Sequence, residues 1–308
     1  MSFPTNNHKP VLLKEVFEIL NPQPGEFFVD GTLGLAGHAT EALKRISPNG
    51  LFLGVDRDDQ SAKKAEDILV NYTQENEIEK TEIVMIVANF VEVLEKMSKN
   101  WTFGKPNCFF LDLGFSSDQI FSGRGFSYDQ DEPLIMRYDG DVRKLTAARV
   151  VNEYDRKKLS EILREYGEER FADRIANGIV RKRQKKPLRT TKELVEAIRE
   201  SLPANYPPKK RPEARTFLAL RNFINREPED LKKAMSLIPQ AVAKGGRVAV
   251  ITFNSLEDRI VKKAFKKLSE SGTRLLTKKP ITPTRKEISQ NNRARSAKLR
   301  AIKLDNRD

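Results

Sequence analysis

The sequence is poor in the residues that build metal centres and covalent frameworks. Its 308 residues include one cysteine, Cys108, and two histidines, His8 and His38. A single cysteine excludes a disulfide framework within the chain and gives a thiolate zinc site no basis. Two histidines exclude a His-rich metal site, so no metal is expected. No apolar run approaches the ~18–20 residues that a membrane span requires, so no membrane association is expected. The opening Met-Ser-Phe-Pro-Thr-Asn-Asn-His has no apolar core and does not read as a secretory leader. No segment repeats at a fixed period. Acidic residues are outnumbered: 43 Asp and Glu face 56 Lys and Arg, a formal net charge of +13. That excess favours an anionic partner such as nucleic acid; the plain alternative is a generally basic protein. The cysteine usage points to a reducing, cytoplasmic setting.

The first third alternates strands and helices. Phe27-Phe28-Val29-Asp30 is a short apolar run ending in an acid, and Ala39, Ala42, Leu43 and Ile46 follow at helical spacing. Leu51 to Asp56 reads as the next strand, with a helix marked by Ala62, Ala65 and Leu69. Glu82 to Phe90 and Cys108 to Leu113 give two more strands. Strands separated by single helices imply parallel crossovers and an α/β fold. The next convincing strand, Arg247 to Phe253, begins 135 residues after Asp112, far more than one crossover of about 30 residues spans. The intervening segment is helical. Leu159, Ile162, Leu163 and Tyr166 share one helical face, and Thr190 with Glu193 forms a capping box. The expected division is a main domain of residues 1–138 and 207–308 with a small helical domain, 139–206, inserted. Pro203, Pro207, Pro208 and Lys209-Lys210-Arg211 form a stiff basic exit from it. After Phe253 come a helix over Leu256 to Leu268, a last strand at Leu275-Leu276 and a basic tail.

Asp30-Gly31-Thr32-Leu33-Gly34-Leu35-Ala36-Gly37-His38 lies between a strand and a helix. Glycines there let the backbone approach a ligand. Asp56 closes the next strand nineteen residues past Gly37, where a carboxylate can hold the two ribose hydroxyls of an adenosine. The Gly-x-Gly-x-x-Gly signature of dinucleotide sites is absent. An acid closing the first strand suits a cationic cofactor better than a pyrophosphate, and S-adenosylmethionine carries both a sulfonium and an ammonium. The alternative is a tight turn that holds no ligand. Asp112 follows the fourth strand in the same row of strand ends, where it either accepts a hydrogen bond from a ligand amine or caps the next helix. Phe90, at the end of the third strand, either stacks on an adenine or belongs to the core.

Basic residues cluster in Arg181-Lys182-Arg183-Gln184-Lys185-Lys186 and in residues 278–308, which hold ten Lys and Arg against three acids. Such runs can neutralise phosphates or form a solvated face. Their number, with Arg293, Arg295 and Arg300 near the end, points to nucleic acid.

At these motifs the chain resembles the 16S ribosomal RNA cytosine-N4 methyltransferase family, the RsmH or MraW type. His8-Lys9-Pro10-Val11-Leu12-Leu13-Lys14-Glu15 resembles its opening H-x-P-V-L-L-x-E, and the glycine turn its G-x-G-G-H. Asp112-Leu113-Gly114-Phe115-Ser116-Ser117-Asp118-Gln119 reads as D-L-G-x-S-S-x-Q. Arg124 to Tyr128, Tyr166 to Arg170, Ser255 to Arg259 and Asn292 to Arg300 continue the likeness nearly to the end of the chain. The resemblance implies a Rossmann-like methyltransferase with an inserted helical domain that recognises substrate. The implied reaction methylates a cytosine of 16S ribosomal RNA near the decoding site, within the small subunit or its precursor, using S-adenosylmethionine. The implied cofactor positions are Ala36, Gly37, His38, Asp56, Phe90, Asp112 and Gln119. Asp112 and Asn254 are the candidates for handling the amine and the base. The expected RNA contacts are Arg137, Lys182, Arg183, Arg259, Arg293 and Arg295. The oligomeric state is left open, a homodimer included.

The chain departs from the family pattern at four places. Ala36 stands for a glycine, where an added methyl can crowd the cofactor. Ile135 stands for an acid, Leu218 for a glutamine and Asn254 for a histidine. The Asp/Asn-Pro-Pro-Tyr/Phe motif common in amino methyltransferases is missing, so the proton acceptor is not identified. Two rival readings follow: a nucleotide-dependent oxidoreductase, and a catalytically weakened RNA-binding ribosome assembly factor of the same fold.

Overall fold

The computed structural model describes residues 9–78, 80–114, 117–207 and 211–305. His8, Phe115, Ser116, Pro208, Lys209 and Lys210 lie outside the described residues, as do the side chains of Ser117 and Asp118. In chain order the elements begin with α1 (Leu13–Leu20), β1 (Phe27–Asp30), α2 (Gly37–Ile46), β2 (Leu51–Asp56) and α3 (Asp59–Glu75). There follow β3 (Glu82–Val87), α4 (Phe90–Ser98), β4 (Cys108–Asp112), α5 (Ser117–Ile120), α6 (Ala147–Glu153) and α7 (Arg156–Gly167). The helical run continues with α8 (Ala172–Lys185), α9 (Thr191–Glu200), α10 (Pro212–Asn225) and α11 (Glu227–Ala241). The chain closes with β5 (Arg247–Thr252), α12 (Ser255–Ser269), β6 (Arg274–Leu275), α13 (Arg285–Gln290) and β7 (Lys298–Lys303).

Two compact units result, one of Met1–Ser116 with Asp230–Asp308, the other Ser117–Glu229. The first is a sheet in the order β3-β2-β1-β4-β5-β7-β6. Strands β1 to β5 run parallel, and β7 is antiparallel to both β5 and β6. Its central parallel strands β2, β1, β4 and β5 read as apolar runs because both faces are covered. Alternation sorts their side chains into two cores. Phe28, Phe52 and Phe110 join α1 and α2 on one face; Val29, Leu53, Phe109 and Leu111 join α4, α11 and α12 on the other.

The second unit is helical, as the spacing of its apolar residues predicts. Leu159, Ile162 and Leu163 are buried, and Thr190 and Glu193 form the reciprocal capping box at the start of α9. The unit is wider at both ends than residues 139–206. Its flanks are tied into it by hydrogen bonds: Glu132 N donates to Thr191 Oγ1, Leu134 N to Arg189 O, and Asn222 Nδ2 to Tyr166 O.

The expected basic tail is not a tail. Residues 298–303 form β7, inserted between β5 and β6, and Leu299, Ala301 and Ile302 are fully buried. The segment reads as solvated because Lys298, Arg300 and Lys303 make half of its six residues basic. Asp258 on α12 resolves this, accepting from Arg300 Nε at 2.7 Å and lying 3.2 Å from Lys298 Nζ, so the guanidinium is buried as part of a pair.

Candidate active site

The strand order reverses between β1 and β4, which are neighbours. In an open parallel sheet the crevice outside the carboxyl ends at such a reversal is where ligands bind. Asp30 ends β1 there, Asp112 ends β4, and Asp56 ends the adjacent β2. The glycine turn fills the same corner. Leu33 N donates to Val55 O, Gly34 N to Asp56 Oδ2 at 2.8 Å, and Asp112 N to Thr32 Oγ1 at 2.6 Å. Gly34 and Ala36 both take left-handed backbone conformations, φ +54° and +58°. Glycine adopts this freely; alanine pays for its Cβ.

Asp30 is buried, and Thr32 N donates to its Oδ1. Burial pushes its pKa up to about 8; the Thr32 N–H opposes this, while Asp112 and Asp56 add to it. Asp56 is also buried, and burial raises its pKa against the N–H groups of Asp58 and Gly34. Both Asp56 oxygens therefore already accept a backbone N–H, and each keeps a further lone pair.

His38 is buried at the start of α2. Its Nε2 lies 3.0 Å from Val11 O, a group that only accepts, so Nε2 carries the proton and Nδ1 presents a lone pair. Burial pushes the imidazole pKa down to about 4, with the Val11 carbonyl opposing. Nδ1 faces Asp112 Oδ2 at 3.8 Å. Lys9, Thr32, Gly34, Gly37, Phe253 and Arg293 line the same cleft. The segment Lys9–Leu12 lies against the turn: a Cβ on Gly37 would come within 3.2 Å of Pro10. It is held from the C-terminal side, where Leu12 N donates to Glu287 Oε1 and Asn291 Nδ2 to Lys9 O.

The structure thus brings Gly37, His38, Asp56 and Asp112 to one corner of the sheet. Ala36 is fully buried and its methyl belongs to the core beneath the turn, so it does not crowd the cleft. Phe90 begins α4, capped by Asn89, and is counted in the core beneath the strand ends. Gln119 is buried in the helical unit. Asn254 caps α12, its Oδ1 accepting from Glu257 N at 2.9 Å, while its neighbour Phe253 lines the cleft.

The expected RNA contacts divide. Arg137 grips Asp139 with Nε and Nη2, at 2.7 and 2.5 Å. Lys182 bonds both Glu196 and Glu200, and Arg183 donates to Val151 O. Arg259 and Arg295 are exposed, whereas Arg293 is drawn into the cleft.

Sequence reasoning missed Thr32, Lys9 and Phe253. It also missed Asp230, which accepts from Asn89 Nδ2 (2.5 Å) and Arg57 Nη2 (3.2 Å). These pairs span 141 and 173 residues, and no local pattern marks them. Among the described residues no group of three His, Cys, Asp or Glu side chains is placed to hold a metal. Nor is any helix long and apolar enough to cross a membrane.

A sheet of this order, parallel from β1 to β5 with β7 antiparallel beside β5, its glycine turn after the first strand and acids closing the next ends, defines a Rossmann-like α/β methyltransferase fold with additional helices. Residues 5–305 match the MraW methylase family, and the chain belongs to it. A relative from Clostridium botulinum (strain Kyoto / Type A2), named ribosomal RNA small subunit methyltransferase H, is 39% identical over 313 residues, covering 96% of this chain and 98% of its own. Relatives of the same name in Symbiobacterium thermophilum (38%, 96% of each chain) and Clostridioides difficile (39%, 96% of this chain and 97% of its own) agree. Likeness to solved structures is looser. A SAM-dependent O-methyltransferase from Thermotoga maritima matches at 10% identity with a TM-score of 0.41, covering 100% of this chain and 68% of its own.

Proposed function

We propose that this chain transfers a methyl group from S-adenosylmethionine to the exocyclic N4 amine of a cytosine in 16S ribosomal RNA near the decoding site, acting in the cytoplasm on the small subunit or its precursor. The observation that carries this reading is the acid-ringed corner of Asp30, Asp56 and Asp112 at the glycine turn, in a chain whose relatives are named for small-subunit RNA.

The donor set fits the cofactor. Asp112 suits a cationic centre and Asp56 the ribose, while the buried Asp30, which holds its proton to about pH 8, is a neutral acid beside them. When bound, S-adenosylmethionine supplies an electrophilic methyl on a sulfonium. Asp56 offers the lone pairs left beyond Gly34 and Asp58 to the ribose hydroxyls. Asp112 faces the ammonium. Gln119 and Phe90 complete the family's cofactor positions.

Cytosine N4 is a weak nucleophile because its lone pair is shared with the ring. An acceptor for its hydrogen strengthens it, and with Asp112 committed to the ammonium the cleft offers His38 Nδ1. Asn254 keeps its Nδ2 group for the base, since the helix cap uses only Oδ1. The base leaves its stack to be reached. The helical unit, built on the insert of residues 139–206, recognises the RNA, and exposed cations such as Arg259 and Arg295 hold flanking phosphates without reading sequence.

Transfer of tritiated methyl to small subunits from cells lacking this gene, followed by mass spectrometry of the nucleosides, tests the reading. N4-methylcytidine is expected. Label in another nucleoside, or none, overturns it.

A further inference from the structure

Arg293 and Asp112 line one cleft, with Lys9 beside them. Arg293 sits in the 3-10 turn Asn292–Ser296, just before β7. The hydrogen bonds that strap Lys9–Leu12 to Glu287 and Asn291 bring it there. Arg293 N donates to Asn291 Oδ1, and Asn291 Nδ2 holds Lys9 O, so one asparagine ties both cationic residues over the glycine turn. Two residues on, Arg295 is exposed. Burial lowers the Arg293 pKa and the Asp112 carboxylate opposes this, which marks the two as electrostatic neighbours.

Opposite charges side by side in a cleft match a zwitterion. The amino-acid end of S-adenosylmethionine is one, with ammonium and carboxylate on the same carbon. A guanidinium presents a planar fork that fits a carboxylate. A phosphate of the RNA fits the place less well, because Asp112 would stand against it. Resting on the cofactor reading above, we propose that Arg293, supported by Lys9, binds the carboxylate of the cofactor's amino-acid end while Asp112 takes its ammonium. Arg293 is then a cofactor residue and not an RNA contact.

Calorimetry with S-adenosylmethionine and its decarboxylated form, which lacks only the carboxylate, isolates this contact. Wild-type protein is expected to prefer the intact cofactor by about ten- to a hundredfold, the range of a charge-assisted hydrogen bond. Arg293→Gln should lose most of that preference, Lys9 keeping the remainder, while binding the decarboxylated form as wild type does. Arg293→Lys, which keeps the charge and loses the fork, should fall between, and the unchanged decarboxylated-form affinity shows that each variant is folded. A preference that survives undiminished in Arg293→Gln overturns the proposal. So does an equal loss of both ligands, or a loss of small-subunit RNA affinity with cofactor discrimination intact. Wild-type protein that binds neither ligand overturns the cofactor reading itself, and the proposal with it.

Discussion

His38 and Asp112 face each other across the cleft, Nδ1 to Oδ2, at 3.8 Å. They are not an ion pair, because burial holds the imidazole neutral with its proton on Nε2 against Val11 O. The ring therefore shows the cleft a lone pair beside a carboxylate, two acceptors converging where an amine can be received. A ring titration by NMR should find the His38 pKa near 4. The depressed value favours the fold above about pH 6.5, and that contribution is lost as pH falls through 4. A His38 value near 6.5 would place the ring in water instead.

Asp30 works in the opposite sense. Its pKa is raised from 3.8 to about 8 in the fold, so the folded chain retains a proton that the unfolded chain has released. That contribution is complete below about pH 4 and is lost as pH rises through 8. Above pH 6.5, where the His38 contribution is complete and no longer varies, stability of the ligand-free protein should decline toward pH 8. Asp30→Asn, which can still accept from Thr32 N, should flatten the slope in thermal melts taken at stepped pH.

Asp56→Ala should do two things at once. It removes the acceptor for Gly34 N and Asp58 N as well as the proposed ribose anchor. Losing two backbone partners should cost about 1–3 kcal/mol of stability by chemical denaturation, besides abolishing cofactor binding. A variant that lost binding with no loss of stability would show that Asp56 does not pin the glycine turn.

Ala36→Gly should stabilise the protein. Ala36 holds φ +58° at the start of α2, a conformation that costs an L-residue about 1–2 kcal/mol, while glycine's extra freedom in the unfolded chain takes back about 0.4–1 kcal/mol. The net gain expected is on the order of 1 kcal/mol, with cofactor affinity unchanged because the methyl is in the core. A fall in melting temperature would contradict this.

RNA binding should weaken steeply with salt, and the slope should discriminate between cations. Arg295→Ala should reduce the slope by about one, whereas Lys182→Ala should leave it unchanged, since Lys182 is committed to Glu196 and Glu200. Equal slopes for both variants would contradict the division.

The alternation of strands and helices up to Asp112 was readable because β1, β2 and β4 are buried apolar runs, the half-buried β3 is apolar from Ile83 to Val87, and each helix keeps an apolar face. The helical insert was readable for the same reason. β7 was not, because its buried Arg300 depends on Asp258, 42 residues away in sequence, for charge compensation. Among site residues, Asp30, Asp56 and Asp112 stood out because a carboxylate ending an apolar strand has no packing role there. Asn254 read as a candidate for chemistry, but locally it is an N-cap, a position that asparagine fills well. Lys182 and Arg183 read as a charge run, yet their partners lie on other helices or turns that sequence spacing does not reveal. Arg293 was legible as a cation but not as part of the cleft, because only the strap from Lys9 to Asn291 brings it there.

Titration calorimetry of the wild-type chain and Asp112→Ala with S-adenosylhomocysteine tests the central assignment most directly. One molecule should bind per wild-type chain, and the variant should bind far more weakly. No binding to the wild type, or equal binding by the variant, would contradict the assignment of this cleft to the cofactor.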